Sequence, residues 1–219
     1  MTDFTYLDIE TLPTQSDDVR VAFRAEIKPP GNIKKPESIA AWMAERGDAA
    51  ASEAIAKTSF DPAYGHICTV AWAQDDGEIF AAHARTIGQE ADVIRAFFGS
   101  IDKYHSTCFV GHYINGFDIR FLLCRAVVLG IRIPHQIPRD PKPWDKGLAD
   151  TMTMWAGAKG HIGLSRLAAA LGVDAGGDFD GSMVAQAWAD GEHDKITEYC
   201  RDDVRIVRDV HRKFIAAGF

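Results

Sequence analysis

The chain has 219 residues, 47% of them hydrophobic and 25% charged, with a net charge of −7. This size and balance suit one folded domain, or one domain carrying a sizeable insertion. The negative charge excludes a protein that coats nucleic acid by bulk electrostatics, although bound metal ions offset a carboxylate-rich site locally.

The ends carry no basic-then-apolar leader and no lipidation signal, and no apolar run reaches the ~18 residues of a membrane span, so the expectation is a cytoplasmic protein with no membrane partner. Cys68, Cys108, Cys124 and Cys200 lack C-x-x-C spacing. They read as reduced thiols, mostly in the core, with neither a zinc site nor a disulfide framework.

The first element is a strand around YLDIETLP, Tyr6 to Pro13. Side chains alternate across a strand, which puts Phe4, Tyr6, Asp8 and Glu10 on one face and Leu7 and Ile9, with Thr11, on the other. Two explanations fit the acidic pair. An edge strand turning a polar face to water produces such alternation. Alternatively, roots about 6 to 7 Å apart let both carboxylates converge on one hard divalent cation, which supplies the counter-charge that close like charges need.

Residues 14 to 61 read as an insertion between the first two strands. A Pro- and charge-rich segment with Lys28, Lys34 and Lys35 leads into an amphipathic helix over Glu37 to Lys57, with Ile39, Trp42 and Met43 on one face and a break near Gly47. The three lysines form either a basic arm for a phosphate backbone or a solubilising loop that packs through Trp42.

His66 to Ala84 reads as a β-hairpin around a DDG turn, and Glu90 to Asp102 as a helix with Val93, Ile94, Phe97 and Phe98 at helical spacing. An apolar strand, Thr107 to His112, passes through an NG turn into a helix over Phe117 to Gly130. After a Pro-rich loop, Ile133 to Gly147, Asp150 reads as an N-cap. A helix over Leu164 to Gly172, a Gly/Asp-rich loop and helices over Ser182 to Asp190 and His193 to Ala217 follow. The order predicts an α/β domain with a mixed sheet flanked by helices.

At 100° per residue, Ile196, Tyr199, Asp203, Val207, Val210 and Phe214 form one stripe of the last helix. Asp203 is the charge inside that stripe, where a carboxylate requires an arginine, a capping partner or a metal. Asp202 points aside and reads as a surface residue. Asp118, at a strand-to-helix junction, is either a dipole-stabilising first-turn residue or part of a site.

DIE on the first strand, GHYINGFDIRFL from Gly111 to Leu122, and YCRDDV from Tyr199 to Val204 resemble the three motifs of the DEDD superfamily of 3′→5′ exonucleases. The Tyr-x-x-x-Asp spacing of Tyr199 and Asp203 matches the DEDDy branch, which includes proofreading domains of DNA polymerases. GLSRLAAALGV resembles a helix usual in that superfamily. The insertion resembles those of stand-alone, phage-type relatives of the family-B polymerase exonuclease. Tyr113 stands where the family usually has Asn after His112.

The resemblance runs from Tyr6 to about Phe214 apart from the insertion. It implies an RNase H-like exonuclease fold with the first three strands antiparallel, one domain over residues 1 to 219, and two divalent ions, Mg²⁺ or Mn²⁺. By the family pattern, Asp8 bridges the ions, Glu10 and Asp203 complete the one that activates water, Asp118 holds the second through water, and Tyr199 orients the attacking water.

Thr11, Leu12, His112, Asn115 and Phe117 are the implied substrate contacts, with Leu12 wedged against the terminal base and Phe117 stacking on it or, as we favour, packing in the core. The implied partner is single-stranded nucleic acid, DNA favoured over RNA, with a replication or repair protein as a further candidate. The competing activities are a hydrolase of very short oligonucleotides and a catalytically silent nucleic-acid-binding domain. His161, Lys159, Asp150, Asp174, Asp178 and Asp180 are not assigned to catalysis.

Overall fold

The computed structural model describes residues 3–101, 103, 107–141 and 145–219. Asp102 of an expected helix and residues 142–144 of the Pro-rich loop lie outside them.

Five strands, β1 (Phe4–Leu12), β2 (His66–Gln74), β3 (Ile79–His83), β4 (Cys108–Gly111) and β5 (Leu148–Asp150), form one sheet in the order β3-β2-β1-β4-β5. The first three pair antiparallel, while β4 joins β1 and β5 joins β4 in parallel. The acidic strand β1 is therefore central, and the edge-strand explanation of Asp8 and Glu10 does not hold. Glu10 pairs with Thr69 and Thr11 with Ile67, so Cys68 is the extra residue of a β-bulge beside the acidic pair.

One sheet face is covered by α3 (Glu90–Ile101) and α4 (Asp118–Val128), around a core that includes Leu7, Ile9, Phe97, Phe109 and Phe121. The long helix α8 (His193–Ala216) lies across the other face, where its Val204 and Val207 pack on Tyr6, Ala71 and Val110 of the sheet. The alternation of β1 thus sends Leu7 and Ile9 one way and Tyr6, Asp8 and Glu10 toward α8. Helix α5 (Thr151–Ala156) follows β5 directly. Helix α6 (Leu164–Ala170) packs on the later turns of α8, and α7 (Val184–Ala189) closes over the end of β1.

A buried ion pair braces the α3/α4 face. Arg125 donates to both Glu90 oxygens at 2.7 Å, and Glu90 also accepts the Ile67 N–H at 2.9 Å. Burial opposes ionisation of Glu90, but bonds from His66, Arg125 and Ile67 hold its carboxyl below the ordinary value.

The insertion differs from the sequence expectation. Its first half contains a helix, α1 (Asp17–Glu26), capped by the Ser16 hydroxyl and opened by Asp17 and Asp18. Its second, α2 (Pro36–Ala56), runs unbroken through Gly47, because one interior Gly costs only ~1 kcal/mol against the neighbouring turns. The insertion closes with a 3₁₀ turn, Lys57–Phe60. Its two ends are stitched together: Thr14 N–H donates to the Thr58 hydroxyl, and the Thr11 hydroxyl to the Ser59 carbonyl, each at 2.8 Å.

Candidate active site

Three elements bring the acidic residues together. Asp8 and Glu10 project from β1 toward α8, Asp203 comes from α8, and Asp118 is the first residue of α4. Asp118 is 4% exposed and Glu10 8%. An Asp118 oxygen accepts the Ile9 N–H, between the two acidic residues of β1, at 3.1 Å. The Tyr199 hydroxyl donates to Asp203 one turn along α8.

Cys200, read from sequence only as a core thiol, faces the same site. Its S–H donates to an Asp8 carboxylate oxygen at 3.2 Å, and one donor atom each of Asp8, Glu10 and Cys200 lie within 4.8 Å of one another. The buried stripe of α8 runs through Ile196, Cys200, Val204, Val207 and His211. Tyr199 and Asp203 therefore sit at its edge and not at its centre. The signal was available in the helical phase, since Cys200 lies one turn before Asp203.

The electrostatics follow from crowding. Burial, then the Asp203, Glu10 and Asp118 charges, push Asp8 well above the ordinary carboxylate value, and burial, then Asp203 and Asp118, do the same to Glu10. Burial raises Asp118 to about 8 and Asp203 to about 6, opposed by the hydrogen bond each accepts. Burial, then Asp8, keeps Cys200 a thiol. Among the described residues no Lys, Arg or His forms an ion pair with any of these carboxylates, and Arg205 is taken by Asp202 and Asp209. Clustered hard oxygen donors that resist ionisation for want of a counter-charge fit a divalent cation of the Mg²⁺ or Mn²⁺ type.

The implied substrate contacts fare differently. Leu12 is fully buried against Val184, Ala187 and Ile196, so a wedge against a base is excluded: α7 covers the end of the strand. His112 engages both ring nitrogens internally, with the Thr151 hydroxyl at 2.9 Å and the Ile162 carbonyl at 2.8 Å, which makes it a brace. The Thr11 hydroxyl is spent on Ser59. Phe117 is half-buried and packs on Phe121 and Phe60 at centroid distances of 5.4 and 6.2 Å. Asn115, Lys28, Lys34 and Lys35 are exposed.

Asp150 caps α5 through the Met152 N–H at 3.0 Å and also accepts the Tyr113 N–H at 2.9 Å, fixing the turn that delivers Asp118. In that turn Tyr113 has φ of 61°, the left-handed conformation that Asn enters more readily than Tyr. A Cβ on Gly116 would run into the Tyr113 ring.

Residues 62–207 match a family described as "Predicted 3'-5' exonuclease related to the exonuclease domain of PolB". The matched segment contains Asp118, Tyr199 and Asp203 and starts just after the insertion. Among solved structures, the chain is similar to the family B DNA polymerase of the hyperthermophilic archaeon Pyrobaculum calidifontis. The TM-score is 0.63 at 20% identity, over 98% of this chain and 25% of the polymerase chain. The chain thus spans about a quarter of that polymerase, and the likeness is one of fold, the RNase H-like exonuclease fold. No curated protein matches the chain. On the strength of the matched segment, which covers more than half of its length, the chain belongs to the family of predicted 3′-5′ exonucleases related to the exonuclease domain of PolB.

Proposed function

We propose that the protein hydrolyses phosphodiester bonds from the 3′ end of single-stranded nucleic acid, DNA in preference, and releases nucleoside monophosphates with the help of two divalent ions. The observation that carries this reading is the gathering of Asp8, Glu10, Asp118 and Asp203, from three distant segments, without a cationic partner among the described residues. Divalent ions, when bound, stabilise charge on the reacting oxygens and make a water nucleophile available near neutral pH.

The side chains have distinct tasks. Asp8 and Glu10 hold ligand oxygens on the central strand of the sheet, with the Cys200 S–H fixing the Asp8 carboxylate. Asp118 is oriented by Ile9, and Asp203 by Tyr199. Burial, then the Asp203, Glu10 and Asp8 charges, lift the Tyr199 phenol far above its ordinary value. Tyr199 therefore stays protonated at working pH and acts as a donor that positions a water or phosphate oxygen, not as the base.

The test is degradation of 5′-labelled single-stranded DNA and RNA, with and without a blocked 3′ end. A ladder that recedes from the 3′ end, stops at the block, vanishes in EDTA and returns with Mg²⁺ or Mn²⁺ is expected. Cleavage of dinucleotides alone would favour the short-oligonucleotide hydrolase. Binding without any cleavage would leave a silent nucleic-acid-binding domain.

A further inference from the structure

The Gly/Asp-rich loop between α6 and α7, residues 174–180, has no task in the exonuclease reading, yet it is tied down along α8. The Arg205 guanidinium donates to the Asp174 carbonyl at 3.2 Å while holding Asp202 at 2.6 Å. Gly176, with φ of 80°, passes so close to α8 that a Cβ there would run into the Asp202 carboxylate. At the far end of the loop Asp180 accepts the Ser182 N–H at 2.8 Å and caps the turn that leads into α7.

Between these ties the loop lays Phe179 on Tyr199. The ring centroids are 5.0 Å apart with the planes tilted by 60°, a separation at which aromatic pairs attract beyond their burial. Both rings pack against the cluster that contains Val184, Ala187 and Ile196. Lys195, one turn before Tyr199 on α8, places its Nζ 5.3 Å from the Phe179 centroid and is anchored by Glu192 at 3.0 Å. Phe179 is thus held from the loop and from the helix. A cavity of about 210 Å³ lies beside Tyr199, lined also by Ser165, Ala175, Lys195 and Asp203. Tyr199 therefore has room to turn, and close packing does not fix its rotamer on every side.

We propose that Phe179 is a positioning residue for the exonuclease reaction, its ring holding the Tyr199 phenol in the orientation that donates to Asp203. The proposal rests on the exonuclease reading and extends it to a loop outside the three acidic motifs. Tyr199 acts by direction, and a hydrogen bond weakens steeply once its donor swings out of line. A ring freed to rotate loses its task while keeping its hydroxyl. If Phe179 touched the strand instead, its loss would fall on affinity and would add to the loss of the Tyr199 hydroxyl.

The experiment is a double-variant cycle on the full chain, read by single-turnover cleavage of a labelled single strand with Mg²⁺ and by strand affinity with Ca²⁺. Phe179→Ala should lower the rate by about tenfold or more, a part of the loss expected of Tyr199→Phe, and change affinity by less than about twofold. In the Tyr199→Phe background the same change should cost less than about twofold, because the hydroxyl it serves is already gone. Phe179→Tyr, which keeps the ring, should stay within about threefold of wild type. Should Phe179→Ala unfold, Phe179→Leu, which fills the apolar volume without a flat face, takes its place in the cycle with the same expectations. Equal losses in both backgrounds, or a loss carried by affinity, would overturn the positioning role.

A second readout needs no activity. In protein labelled with ¹³Cζ-tyrosine, Asp203→Ala should move the Tyr199 signal, identified by its absence in Tyr199→Phe, and should leave it nearly still in the Phe179→Ala background. Equal movement in both would mean that the phenol keeps its aim without Phe179. Wild-type inactivity on single strands would sink the exonuclease reading, while the tyrosine signal decides the positioning by itself.

Discussion

The Asp118 carboxylate accepts the backbone N–H of Ile9 at 3.1 Å, which fastens the first turn of α4 to the central strand between Asp8 and Glu10. The bond and the charge are separable. Asp118→Asn keeps an acceptor and removes the charge; Asp118→Ala also strands a buried N–H, at a cost of about 1–3 kcal/mol. Both variants should lose at least ~10² in turnover. Thermal unfolding should show a lowered midpoint for alanine only, and an equal fall in asparagine would mean that the charge supports the fold.

Stability without metal should fall as pH rises. The ordinary aspartate value is about 3.9, while Asp118 is raised to about 8 and Asp203 to about 6. Between the unfolded and folded values the native state keeps protons that the unfolded chain has released, so each step up in pH favours unfolding. In EDTA the melting temperature should therefore decline from about pH 4 toward about pH 8. Mg²⁺ should flatten the decline, and Asp118→Asn should make it shallower. A melting temperature that rises over this range in EDTA would contradict the clustering.

On α8, adjacent aspartates should part company. Asp202 is partly exposed and pairs with Arg205 at 2.6 Å, whereas Asp203 faces the site. Asp203→Ala should cost at least ~10³ in turnover, and Asp202→Ala no more than a few-fold. Tyr199→Phe, which removes only the donor, should cost roughly 10² to 10³ with little change in substrate affinity. Single-turnover rates with separate binding measurements distinguish these outcomes.

Arg125 supports the fold and not the chemistry. Arg125→Met leaves Glu90 buried without its bidentate partner, and breaking such a pair typically costs about 3–5 kcal/mol. Urea denaturation should detect this loss, and the double variant Glu90→Gln/Arg125→Met should recover part of it. A loss under 1 kcal/mol, about the worth of a surface pair, would contradict the burial.

Lys28, Lys34 and Lys35 project from the linker between α1 and α2 and at the start of α2. If they hold the phosphate backbone, changing all three to alanine should flatten the salt dependence of single-strand binding by up to about 0.7 per lost contact. Dinucleotide cleavage should be spared. An unchanged slope would leave them a solvated loop.

How much of this was legible in the sequence depended on whether an element had something to bury. Helix α3 shows its apolar positions at helical spacing because Val93, Ile94, Phe97 and Phe98 all enter the core. Helix α1 has no buried residue, and its short apolar stripe of Val19, Ala22 and Phe23 was concealed by its charged, Pro-flanked context. Strand β5 has three residues, too few for any period. At the site, the acidic residues stood out because carboxylates among apolar residues break a pattern. Cys200 broke none and was passed over. Leu12 was misplaced for a tertiary reason, since a helix more than 170 residues later covers it.

Thr14 and Thr58 lie 44 positions apart and are joined by one hydrogen bond, so the helical appendage departs and returns at a single point. Such a closed base decouples its length from the sheet, because loop closure costs rise only slowly with added residues. The sheet keeps its acids in place, while the appendage can be trimmed, lengthened or exchanged as a cassette without disturbing them.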